Sequence, residues 1–108
     1  MNEAHSIRIC LSTVPTAQFA KQLAATLVEE RLAACVQILP AINSIYHWQG
    51  KLCDETESML FIKTSFDKIV ELEKRITELH PYDTPEILVI APQSSNSKYA
   101  DWLNEYLA

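Results

Sequence analysis

The chain has 108 residues, 48% hydrophobic and 21% charged, with a net charge of −5; this is the make-up of one globular domain with a modest core. Its nine basic residues are scattered with no run of Lys or Arg, which argues against nucleic acid and anionic membrane surfaces as partners. No apolar stretch approaches the roughly 20 residues that span a bilayer, and a single glycine, Gly50, excludes a P-loop or dinucleotide fingerprint.

Residues 1–5 show no basic region leading into an apolar one, so no signal peptide is expected and the expected compartment is the cytoplasm. Cysteine usage agrees: Cys10, Cys35 and Cys53 are odd in number and lack C-x-x-C spacing, which suits reduced thiols rather than a disulfide framework. Cys35 follows two alanines and reads as a packing residue, whereas Cys53 falls near a hairpin tip and reads as exposed.

Ile7, Ile9 and Leu11 alternate with Arg8, Cys10 and Ser12, which predicts a half-buried strand over 6–14, stopped by Pro15. Thr16 is placed to cap a helix carrying Phe19, Leu23 and Leu27 on one stripe, to about Leu32. The stretch 34–48 is rich in Val, Ile, Leu and Tyr but contains Pro40, which predicts an edge strand or two halves around a bulge. Gln49-Gly50-Lys51 reads as a hairpin turn into a return arm over 52–64, where Met59 to Ile62 are consecutively apolar. Ser65 is placed to cap a second helix with Ile69, Leu72, Ile76 and Leu79 inward and a Glu71–Arg75 pair outward, ended by Pro81. Residues 87–91 read as a short buried strand. Tyr99, Trp102, Leu103, Tyr106 and Leu107 predict an amphipathic terminal helix capped by Asn96 or Ser97.

The order β-α-β-β-α-β-α predicts one α+β domain over 1–108. Its class is a ferredoxin-like α/β sandwich, with an antiparallel sheet and both main helices on one face. Hairpin arms longer than ten residues exceed the usual strand of about five to six. Long arms leave edges to cover, and a homo-oligomer built by strand pairing and sheet-face burial covers them.

Between the second helix and the last strand lies His80-Pro81-Tyr82-Asp83-Thr84-Pro85-Glu86. Two prolines fix their own φ and bias the residues before them, so an imidazole, a phenol and two carboxylates stand on a stiffened loop. A rigid connector and a binding surface are both consistent with that.

Taken with Arg31-Leu32-Ala33-Ala34-Cys35-Val36-Gln37 and Tyr46-His47-Trp48-Gln49-Gly50-Lys51, this loop gives three motifs in register. Together with Tyr99-Ala100-Asp101-Trp102-Leu103 they resemble the CutA family of divalent-cation tolerance proteins, from about residue 7 to residue 107. The resemblance implies a stable cytoplasmic homotrimer similar in architecture to the PII signalling proteins, linked to tolerance of copper and other divalent metals, with no enzymatic activity. The family's metal reading rests on a cysteine in the first strand and a histidine pair before Pro-Tyr. Those positions are Ser12, Leu79 and His80 here, so His80 is retained and Cys10, two residues earlier on the same strand face, is the substitute.

His80 is therefore a candidate ligand for Cu(II) or another divalent metal, or else a hydrogen-bonding residue to Asp83 or a backbone carbonyl. Trp48, Lys63, Tyr82 and Glu86 are candidates to line a cleft between subunits. The other reading of the same residues is interface packing with a Lys63–Glu86 pair. Tyr46, Trp48 and Pro40 are the candidate oligomer contacts. No nucleophile stands in a recognisable elbow, so no catalytic residue is assigned. Self-association and a divalent metal ion are the expected partners, without organic cofactor, nucleic acid or membrane. The alternatives are a PII-like regulator holding a small anionic metabolite in inter-subunit clefts, and a purely structural trimer.

Overall fold

The computed structural model describes residues 2–3 and 6–108, with side chains from Ser6 onward; part of the stretch 1–5, on which the signal-peptide expectation rests, lies outside the described residues. Strand β1 is Asn2–Glu3 and β2 is Ile7–Val14. Helix α1 covers Ala17–Glu29, and the Phe19 N–H donates to the Thr16 hydroxyl at 3.0 Å, the expected cap. The helix stops short of Leu32 because Arg31 turns left-handed (φ 58°), which brings the Leu32 and Ala33 N–H groups back onto the Leu27 carbonyl at 2.9 and 3.2 Å. A non-glycine residue in this conformation costs roughly 1 kcal/mol. Arg31 recovers contacts there: its guanidinium donates to the Tyr106 carbonyl at 2.7 Å and lies 4.6 Å from the Tyr106 ring centroid.

Strand β3 (Cys35–Trp48) and β4 (Lys51–Ser65) form the hairpin. Their register shifts between Leu39 and Ile42, around Pro40 and a left-handed Ala41 at φ 57°, which is the expected bulge on an edge strand. Gln49 and Gly50 both have positive φ (50° and 78°), as a two-residue turn matched to strand twist requires. After β4, a single 3-10 turn at Phe66–Lys68 leads into α2 (Ile69–Leu79). Ser65 does not cap α2 directly; its hydroxyl donates to the Asp67 carboxylate at 2.5 Å. Arg75 does not pair with Glu71. It makes a bidentate pair with Glu30 at the end of α1 (2.8 and 2.8 Å) and a longer contact to Glu78, because the guanidinium fork fits one carboxylate across the two helices.

Strand β5 is Leu88–Ile90, β6 is Ser94–Ser95, and α3 is Ser97–Leu107, capped by the Asn96 side chain, which accepts from the Tyr99 N–H at 3.1 Å. The main sheet runs β3-β4-β2-β5, antiparallel throughout, the order of a ferredoxin-like split β-α-β pair. β1 and β6 add a small separate ladder.

Helices α1 and α2 cover one sheet face. Ala20, Leu23, Leu27, Leu72 and Ile76 pack there on Cys10, Val14, Leu60 and Ile62. Ile7 has the opposite strand parity and packs instead with Ala34, Leu103 and Leu107, so α3 covers the start of the other face. Beyond α3 that face is open. Leu88, Val89 and Ile90 are 57%, 43% and 47% exposed, a correction to the expected buried strand. A three-residue edge strand bonded only to β2 has no second neighbour to bury it, although its apolar composition reads the same either way.

Candidate functional site

Side chains on the far half of the hairpin alternate. Ile42, Ser44, Tyr46 and Trp48 share one surface with their partners Glu57, Glu55, Cys53 and Lys51. This surface continues the open sheet face through Met59, Phe61 and Lys63, each two residues further along β4. Tyr46 and Trp48 are exposed, Pro40 is exposed at the bulge, and Cys53 is half-buried opposite Tyr46 rather than fully exposed.

The 80–86 loop docks at the hairpin base. Pro81 forces His80 out of helical geometry (φ −74°, ψ 137°), which swings the imidazole inward, where it is 8% exposed. The Tyr82 N–H donates to His80 Nδ1 at 3.1 Å, so Nε2 carries the proton and donates to the Thr13 carbonyl at 2.7 Å. The Tyr82 ring lies 4.7 Å from the imidazole and its hydroxyl donates to Glu57 Oε2 at 2.8 Å. Burial, that bond and the nearby Glu57 charge push the Tyr82 phenol well above its ordinary value. Tyr46 is raised too, by desolvation first and then by Cys53, Glu55 and Glu57.

Of the roles expected for His80, the hydrogen bond to a backbone carbonyl is present, made to Thr13. His80 and Cys10 are not a ligand pair with donors ready: both imidazole nitrogens are engaged within the chain, while Cys10 is 1% exposed beneath α1 and α2. Burial, followed by the Glu73 and Glu86 charges, pushes the Cys10 thiol up to about 12, away from the thiolate a metal takes. Among the described residues no three His, Cys, Asp or Glu side chains converge as a metal site. Ser12, at the family's cysteine position, holds a sealed hydroxyl without a hydrogen-bond partner.

Lys63 does not pair with Glu86. Its ammonium lies 5.6 Å from the centroid of the Tyr99 ring on α3, because β4 places it opposite Ile9 and Cys35, at the end of the sheet away from the loop. Of the expected cleft residues, Tyr82 stands at the hairpin base on Glu57 and Lys63 lies at the other end of the sheet. Glu57 was missed. It is 7% exposed, and its signal in the sequence is parity: it precedes Met59 by two on an arm whose odd-numbered residues share a face.

The family model described as CutA1 divalent ion tolerance protein matches residues 8–106. The chain belongs to the CutA1 family. The divalent-cation tolerance protein CutA of Thermus thermophilus is 44% identical over 97 residues, covering 90% of this chain and 94% of that one. The structure of CutA from Synechococcus elongatus superposes with a TM-score of 0.95 at 42% identity, over 98% of this chain and 94% of that one. A second Synechococcus elongatus CutA structure, described as complexed with a Bis-Tris molecule, gives a TM-score of 0.90 at 41% identity over 97% of both chains.

Proposed function

We propose that the protein is a non-catalytic cytoplasmic homotrimer that contributes to divalent-cation tolerance and binds Cu(II) only weakly. The observation that carries this is the amount of apolar surface one chain leaves open: the sheet face beyond α3, the β5 edge, and the hairpin with Trp48 and Leu52 at 55% and 75% exposure. Surface of this extent and continuity is what a partner copy covers. Pairing of β5 with the β3 edge of another copy would also satisfy the open backbone groups on both. Weak metal affinity follows from the engaged ring of His80, since ligation has to break a bond to Thr13 or Tyr82 first.

Sedimentation of the purified protein tests the assembly, with a mass of three chains expected and a monomer refuting it. Calorimetric titration of the reduced, chelator-treated protein with Cu(II) tests the metal reading. Shallow binding indifferent to His80→Ala supports it. Tight binding at one site per chain, abolished in that variant, overturns it.

A second reading, a PII-like small-molecule regulator, draws on the docked loop and on the relative described with Bis-Tris. The charge at the hairpin base changes its ligand: Glu55, Glu57 and two phenols gather there without Lys63, which is hostile to an anion.

A further inference from the structure

His80 is a buried imidazole with both nitrogens in use, and the two uses are opposite in kind. Nε2–H donates to the Thr13 carbonyl at 2.7 Å, while Nδ1 accepts from the Tyr82 N–H at 3.1 Å. Only the neutral ring does both. An imidazolium donates from both nitrogens, so a second proton has to enter at Nδ1, where the Tyr82 N–H already points. Two donors set against each other in a buried position leave both without an acceptor.

The groups around the ring come from four elements. Helix α1 contributes Phe19, its ring 6.4 Å away, and β2 contributes the Thr13 carbonyl. The loop contributes the Tyr82 ring at 4.7 Å, and β4 contributes Glu57, which accepts from the Tyr82 hydroxyl at 2.8 Å. Glu73 on α2 and Glu86 at the end of the loop act on Cys10. Among the described residues, none of these carboxylates forms an ion pair with the imidazole. The bond that a proton has to displace is also the one that seats the loop. Pro81 and Pro85 stiffen the segment, and Tyr82 ties it to the hairpin base through Glu57.

We propose that His80 is an acid-sensitive catch: proton uptake at Nδ1 releases the Tyr82 N–H and undocks residues 81–85 from the hairpin base. The docked loop accepts only the neutral ring, whereas the undocked loop accepts either form. Docking is therefore intact at neutral pH and weakens as pH falls. The helices and sheet keep their own contacts, so the release is local. Both bonds lie within one chain, and the device does not depend on what covers the open sheet face.

The test is magnetic resonance on the full-length, reduced, assembled protein with chelator present, from about pH 8 to about pH 5, where imidazoles exchange their proton. Long-range proton–nitrogen correlation spectra read the tautomer: Nε2–H is expected for His80 at neutral pH, and Nδ1–H overturns the proposal. Exchange protection of the Tyr82 amide, referred to an unstructured chain at each pH, is expected to fall as that ring gains its proton, by up to about tenfold per pH unit. The Leu27 and Leu60 amides are expected to hold theirs; a loss shared by them is global acid unfolding and overturns the proposal. His80→Gln keeps a donor for Thr13 but cannot titrate, and its Tyr82 protection is expected not to change with pH. Glu57→Gln is expected to keep the response. Tyr82 protection that holds while His80 becomes imidazolium overturns the proposal, as does a ring that stays neutral down to about pH 5. A response that survives in His80→Gln, or vanishes in Glu57→Gln, also overturns it. The wild-type tautomer and protection decide the matter even where a variant fails to fold.

Discussion

Replacing His80 by phenylalanine separates a structural imidazole from a metal-binding one. The ring volume is kept, so contacts with Tyr82 and Phe19 persist, but two hydrogen bonds disappear. The Thr13 carbonyl loses the Nε2–H donor in a buried position, a loss of about 1–3 kcal/mol. The Tyr82 N–H loses Nδ1, but Tyr82 is 38% exposed, so water partly replaces that acceptor and its share falls near 1 kcal/mol. A total of about 2–4 kcal/mol is expected, which at an m-value of about 2 kcal/mol per molar urea moves the midpoint down by about 1–2 M. The assay is urea unfolding in the presence of a chelator, joined to hydrogen exchange at the Tyr82 amide, whose protection should fall in the variant. The reasoning is refuted if the metal-free variant matches the wild type in both readouts and differs only when copper is added.

Four other outcomes are expected. The Cys10 thiol holds its proton up to about 12 in the folded protein against 9.0 unfolded, so its contribution is intact below pH 9 and is lost as pH rises through about 12, at no more than about 1.4 kcal/mol per pH unit; urea midpoints across that window should fall less steeply in Cys10→Ala. Leu27 is fully buried between α1 and the sheet, and Leu27→Ala should cost about 3–5 kcal/mol in denaturant unfolding. A Cβ at Gly50 meets no atom within 4 Å, so Gly50→Ala should cost only the left-handed backbone penalty of about 1–2 kcal/mol and leave the hairpin in register, as cross-strand NOEs would report. Trp48→Ala should promote dissociation on dilution by about 2 kcal/mol or more if the hairpin anchors the assembly, read by sedimentation across a concentration series.

What could be read from the sequence was whatever local chemistry decides. Thr16 and Asn96 cap helices because a short side chain followed by a helical stripe has few other uses. Pro40 and Gly50 locate the bulge and the turn because each tolerates a backbone geometry that most residues resist. What could not be read depended on partners distant in the chain. The acceptor that meets His80 Nε2–H is a carbonyl 67 residues earlier, and Arg75 finds Glu30 at the end of another helix rather than Glu71 one turn away. The cleft shows the same limit. Lys63 and Glu86 looked like partners by charge, yet sheet register sets the lysine beside Tyr99, and the carboxylate that Tyr82 meets is Glu57.

The break at Pro40 and Ala41 also bears on how a newly made chain survives before it meets its copies. A 14-residue edge strand with Ile45, Tyr46 and Trp48 exposed is a template on which any foreign strand could zip, the first step toward a fibril. Proline withdraws one donor and the bulge throws the two halves of β3 out of step. An intruding strand in register with Val36 and Ile38 therefore loses register before it reaches Tyr46. The same long edge stays open to a partner folded to follow its bend, so one irregularity both invites the right neighbour and turns away indiscriminate ones.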